Sequence, residues 1–232
     1  YVSDIATYEH SYNVTVTPQP DNLSITSIDD NSMATAIGNE DTMIAIDYKI
    51  TNIDEGDTAS AISIDNIPDG YLVFYTNNSG VKVLASNNGD INGDTDNIWS
   101  IDTSKLGSIN AGDTSNIFIM PPEDSSDSLL GIELRVINNS GSISEPFVVN
   151  LAVTAVADIV TANPTTILGK QGEWTALNLN AVMKDIDGSE TVSITIEGPG
   201  LVEGVLSAST GDGTPLNIAW NAAEQAYIIT GI

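Results

Sequence analysis

The feature that most narrows what this chain can fold into is an internal repeat. Val14-Thr-Val-Thr-Pro-Gln-Pro-Asp21 recurs as Leu151-Ala-Val-Thr-Ala-Val-Ala-Asp158, an apolar alternation that ends in Pro or Ala followed by Asp. A longer match follows in each copy. Glu40-Asp-Thr-Met-Ile-Ala-Ile46 corresponds to Glu173-Trp-Thr-Ala-Leu-Asn-Leu179, and Asn52-Ile-Asp-Glu-Gly-Asp-Thr58 to Asp185-Ile-Asp-Gly-Ser-Glu-Thr191. In both copies the turn after the Glu places oxygen-bearing side chains at intervals of 12, 14 and 17 residues. Self-similarity of this kind marks tandem modules. It divides the chain into residues 1–20, the end of one module; 21–157, a complete one; and 158–232, the beginning of another. Trp220 matches Trp99, so the last module is expected to lack its closing strands, and the chain is read as a piece of something longer.

Within the modules the pattern is strand-like almost throughout. Period-two runs include Tyr12-Asn-Val-Thr-Val-Thr17, Ile132-Glu-Leu-Arg-Val-Ile137, Val149-Asn-Leu-Ala-Val-Thr154 and Val192-Ser-Ile-Thr-Ile196. Between them lie turn formers such as Asn77-Asn-Ser-Gly80, Asn138-Asn-Ser-Gly141 and Gly211-Asp-Gly213. Strands this short, separated by such turns, predict an all-β sandwich with no helix longer than a turn or two. The middle module carries an expanded loop, residues 75–97.

Composition narrows the function classes. Thirty-two Asp and Glu stand against 6 Lys and Arg, a formal charge of -26. Such a chain repels itself when compact unless cations screen it, and nucleic acids and anionic membranes are poor partners. A hydrophobic content of 41% nevertheless separates it from acidic disordered tails. No run approaches the roughly 20 apolar residues of a membrane span, and the absence of Cys excludes disulfides and thiolate metal sites.

The repeated acidic positions suggest a hard cation. In the middle module they are Asp21, Glu40, Asn52, Asp54 and Asp57; in the last they are Asp158, Glu173, Asp185, Asp187 and Glu190. Carboxylates from three segments, converging at one end of a sandwich, would repel strongly without an ion among them. Calcium suits oxygen donors, whereas zinc or copper calls for Cys or for His, of which only His10 exists. The same residues also make good hydrogen-bonded Asx turns. A second candidate loop presents Asp90, Asn92, Asp94 and Asp96 at alternate positions, as a calcium loop does. Ile101 stands where such a loop carries its bidentate Glu, so a solvated hairpin tip is an equal reading.

These residues resemble the cadherin-like or immunoglobulin-like modules of large RTX adhesins, exported by type I secretion from Gram-negative bacteria. The likeness rests on Gly38-Asn-Glu-Asp-Thr42, Met120-Pro-Pro122, Val153-Thr-Ala-Val-Ala-Asp158 and Asp185-Ile-Asp-Gly-Ser-Glu-Thr191, and it covers nearly the whole chain. It implies tandem immunoglobulin-like sandwiches strung end to end, stiffened by calcium near the junctions and displayed outside the cell for surface attachment and biofilm. Trp174 and Asn52 depart from the family pattern, each leaving its site one carboxylate short.

The expectation is therefore a calcium-dependent extender segment of an extracellular bacterial adhesin, whose partners are its neighbouring modules. Two alternatives stay open: a module that binds a glycan or peptide through residues 75–99 or the surface around Trp174 and Trp220, and a split module that scaffolds an inserted domain. A monomer is expected by default, with strand exchange through the open edge of the last module as the other outcome. An enzyme is not expected, because no nucleophile elbow or phosphate loop is present and a triad would need His10.

Overall fold

The computed structural model describes residues 9–14, 23–51, 58–89, 97–107, 116–161, 166–179, 181, 188 and 191–231. Its strands in chain order are β1 (Ser24–Thr26), β2 (Met33–Asn39), β3 (Ile44–Ile46), β4 (Lys49–Thr51), β5 (Ala59–Ile67), β6 (Leu72–Thr76), β7 (Lys82–Leu84), β8 (Ser86–Asn87), β9 (Asn97–Asp102), β10 (Ile117–Met120), β11 (Leu129–Asn138), β12 (Phe147–Thr154), β13 (Ile194–Glu197), β14 (Asn217–Asn221) and β15 (Ala226–Thr230). A single 3-10 turn, Thr103–Lys105, is the one helical element among the described residues. The protein is all-β, as the period-two runs require.

Residues 23–154 form a two-layer sandwich. One layer is ordered β3-β10-β6-β7, with β1 paired to β4 just beyond β3; the other is ordered β2-β12-β11-β5-β9-β8. Alternate residues of each strand face inward, and those of both layers meet in one core. Ile44, Ile46, Val73, Ile117 and Ile119 come from the first layer, and Ile62, Ile64, Ile132, Leu134, Phe147 and Leu151 from the second. Trp99, on β9, is 2% exposed in the same core. Tyr48 interrupts the strand between β3 and β4; its hydroxyl donates to Asn116 Oδ1 at 2.6 Å. Burial pushes the Tyr48 phenol far above its ordinary 10.0, and the bond to Asn116 only partly opposes this.

Two matching turns follow from one sequence. In Asn77-Asn-Ser-Gly80 the Asn77 side-chain oxygen accepts the N–H groups of Ser79 and Val81. In Asn138-Asn-Ser-Gly141 the Asn138 oxygen accepts those of Ser140 and Ser142. Both turns close through a Gly in the left-handed region, φ 76° and 87°. The first makes the β6–β7 hairpin, so part of the expanded loop is ordered strand. The Ala85 N–H then bonds Val73 O at 2.8 Å, and the chain crosses to the other layer, where β8 pairs with β9.

β13, β15 and β14 make a separate three-stranded sheet, in that order. Its apolar residues stand in cross-strand rows, Ile194–Ile229–Ile218 and Ile196–Tyr227–Trp220. Trp220 therefore does not repeat the setting of Trp99. β14 turns back tightly onto β15, whereas β9 lies between β5 and β8 and its successor β10 joins the opposite layer.

The strand that decides the shape of the sandwich is β2. It runs parallel to β12, from Met33 beside Val148 to Asn39 beside Thr154, and so closes the first and last parts of the sandwich on each other. Gly38 allows this edge to sit close on the opposite layer, since a Cβ there would lie 2.6 Å from Ile44 Cγ1. Replacing Gly38 with Val is expected to cost about 1–3 kcal/mol, the range for overpacking, measured as a lower urea midpoint with an unchanged slope.

Candidate metal centre

Three chain segments end together where β2 and β12 stop. Because those strands are parallel, their last residues share one end of the sandwich. β10 is antiparallel to β3, which begins just after β2, so β10 finishes at that end too. Glu40 follows β2 directly, Asp124 lies in the turn after β10, and Asp158 lies four residues past β12.

Glu40 is the most buried of these groups, at 2% exposure. Its N–H donates to Thr154 O at 3.1 Å, continuing the β2–β12 ladder by one step. Its Oε1 accepts the N–H of Val156, which holds the segment leaving β12 against the end of β2. Its Oε2 is shut off from solvent and has no hydrogen-bond partner. A buried carboxylate oxygen in that state is costly unless something positive compensates it.

At the same end of the sandwich, one carboxylate oxygen each from Asp41, Asp124 and Asp158 lie within 4.8 Å of one another. The Asp124 N–H donates to Asp41 Oδ1 at 3.0 Å, tying the β10 turn to the β2 turn. Asp41 and Asp124 both occupy the left-handed region, at φ 55° and 54°. Asp tolerates that conformation better than most non-glycine residues, so the two turns suit the side chains they present. Asp41 is exposed, while Asp124 and Asp158 are half-buried with one oxygen of each hidden from water. At this spacing two carboxylates repel by about 3 kcal/mol for an effective dielectric of about 20, and by less where water screens Asp41. All the donors are hard oxygens, the set that calcium takes.

Glu40 and Asp158, expected at separate sites, lie at the same end of the sandwich, where Glu40 holds the segment that carries Asp158 through Val156. Asp158 joins Asp41 and Asp124, whereas the sequence repeat pairs it with Glu173. Glu173 is exposed, its N–H bonded to Lys170 O at 3.2 Å, and it joins no group of metal-capable side chains among the described residues. Asp21, Asn52, Asp54, Asp57, Asp90, Asn92, Asp94, Asp96, Asp185, Asp187 and Glu190 lie outside the described residues. Thr51, the last described residue before Asn52, pairs with Ser24 at the end of β3–β4 remote from Glu40. The constant interval of 12 residues therefore contains a strand leading away from Glu40. Asp41 and Asp124 were not singled out by spacing. The available signals were their places within Gly38-Asn-Glu-Asp-Thr42 and two residues after Met120-Pro-Pro122, where a Pro pair ends a strand.

The sequence matches no protein-family model and is significantly similar to no curated protein.

The Gly211-Asp-Gly213 turn binds its own backbone. Asp212 accepts the Thr210 hydroxyl and, at 3.0 Å, the Thr214 N–H. The Thr210 hydroxyl is the main cause that holds its carboxyl at about 2, below the ordinary 3.8. A depressed carboxyl supports the fold above its unfolded value and loses that support as pH falls through its folded one. Carboxyl NMR of Asp212 should therefore show a midpoint near 2, and Thr210→Val should move that midpoint back toward 3.8.

Proposed function

We propose that this protein is a calcium-dependent extender segment of an extracellular bacterial adhesin, built of immunoglobulin-like sandwich modules in tandem. The observation that carries this reading is the convergence of Asp41, Asp124 and Asp158 at the end of the sandwich where Glu40, next to Asp41 in sequence, is buried with its Oε2 unbonded. An oxygen-only donor set fits calcium better than any metal that needs nitrogen or sulfur.

Its position explains what binding would accomplish. Asp158 belongs to the segment that leaves the sandwich, while Asp41 and Asp124 belong to turns inside it. An ion shared by the three adds to the Glu40–Val156 bond and fixes the direction in which the chain departs. In an array of modules that direction sets the angle to the next one, which otherwise swings about its linker. Extracellular calcium modules work at about 10⁻⁴–10⁻³ M, which suits a surface protein and not a cytosolic one. The charge of -26 favours cation-rich surroundings in the same way. Attachment to cells or surfaces is then a property of the whole fibre, to which this segment contributes reach.

A ligand-binding role has one observation in its favour, the 77% exposure of Trp174. A glycan array would separate the roles, because a pure extender binds nothing on it.

Asp124→Asn tests the metal reading through a change of sign. Without calcium the variant should be at least as stable as the parent, since it removes a mutually repelling charge. With calcium at about 100 times Kd the parent should gain about 2.7 kcal/mol, and the variant should gain markedly less. Calorimetric titration should show at least tenfold weaker calcium binding by the variant. Small-angle scattering of the parent should give a longer maximum dimension in calcium than in chelator. Unchanged stability and dimension on adding calcium would refute the proposal.

A further inference from the structure

The outer edge of β2 has the properties of a pairing surface for a second copy of this chain. Among the described residues no strand lies on that edge. The Ser32 carbonyl and the Glu40 N–H both face β12. Backbone groups alternate along a strand, so the N–H and C=O groups of Met33, Thr35, Ile37 and Asn39 face outward. The Asn39 carbonyl already accepts the Thr42 hydroxyl at 2.6 Å and has a second lone pair to offer.

Edge strands are ordinarily protected by shortness, charge, proline or a bulge. The other edges of the sandwich follow this rule: β8 has two residues, β1 has three, and β7 carries Lys82. β2 has seven residues, an unbroken register against β12, and neither charge nor proline. Its outward residues include Met33, 57% exposed, and Ile37, 73% exposed. In a chain of charge -26, residues 31–39 form a neutral window between Asp29-Asp30 and Glu40-Asp41.

We infer that β2 pairs antiparallel with β2 of a second copy, centred on Ala36, to join two six-stranded sheets into one. A second copy offers the matching edge, seven uncharged residues with the same outward backbone groups, and charge selects the register. With Ala36 opposite Ala36, Thr35 meets Ile37 and Met33 meets Asn39, so all four outward residues form hydrogen-bonded pairs. Asp30 then stands opposite Thr42, Glu40 opposite Ser32, and Asp41 opposite Asn31, so no carboxylate of residues 29–43 stands opposite another, while Asp47, which lines the cleft beside Ala36, adds to the repulsion that salt must screen. Asp30 is also neutralised by Lys49 at 2.7 Å. The remaining repulsion between two anionic bodies is long-range, so salt should strengthen the pairing.

The test uses sedimentation of the full chain from about 1 µM to about 1 mM, the range of weak and transient interfaces. The mass should rise toward double with concentration, and more readily at higher salt. Thr35→Pro removes an N–H that β12 does not use and should stay monomeric throughout. The chain has no Cys, so Ala36→Cys gives an independent readout even where the proline variant fails to fold. Ala36 lines a cleft of about 390 Å³ between β2 and β3, with room for a disulfide. Facing residues of a non-hydrogen-bonded pair lie about 4.5 Å apart, within disulfide range. Mild oxidation should convert Ala36→Cys to covalent dimer at least tenfold faster than Ser79→Cys on the β6–β7 tip. A parent that is monomeric at every concentration, a Thr35→Pro variant that still doubles, or equal cross-linking at the two cysteines would each overturn the inference.

Discussion

The parallel pairing of β2 with β12 is the contact on which the other features of the sandwich depend. It joins segments far apart in sequence, so its loop entropy must be met before any of its hydrogen bonds form. Two local devices make it possible. Gly38 removes the Cβ that would strike Ile44, and the Glu40 carboxylate fastens the backbone just past the end of β12 through Val156. Parallel pairing also brings two strand exits to the same end. Acidic turns that would be scattered in an antiparallel arrangement are consequently gathered, and one buried carboxylate oxygen is left without a hydrogen bond.

Charge is distributed to match this architecture. The strands of the core are nearly free of acidic side chains, and most Asp and Glu among the described residues lie in turns and outward positions. A sandwich assembled this way concentrates its negative charge at the rim, with Glu40 as the buried exception, and charge of one sign on a rim is screened by salt. The same separation leaves β2 neutral along its whole length, so that one edge escapes the repulsion that otherwise keeps copies apart.

Much of the fold was legible in the residues, and for a simple reason. Strand periodicity and Asn-Gly turn chemistry act over two to five positions, so Ile132–Ile137, Val149–Thr154 and the paired Asn-Asn-Ser-Gly turns could be read locally. Matching at longer range misled in particular places. Trp99 and Trp220 align in sequence, yet one is sealed in the sandwich core and the other packs at a tilt against Tyr227 in a hairpin, ring centroids 4.8 Å apart. Glu40 and Glu173 align as well, but one is buried by β12 and its exit while the other is exposed among the described residues. Similar strings acquire different environments because burial depends on which distant strands cover them.

The repeated acidic positions show where the division falls. By itself, the sequence determined that the chain is all-β, strongly anionic and furnished almost wholly with oxygen donors, since these follow from side-chain chemistry and short-range spacing. Only the tertiary structure decided which carboxylates meet. Asp158 stands with Asp41 and Asp124, and the spacing of 12 residues after Glu40 contains a strand that leads away from it. The physical reason is that carboxylates interact through a few ångströms of space, and that distance is set by strand pairing between remote segments, which no count of residues along the chain contains.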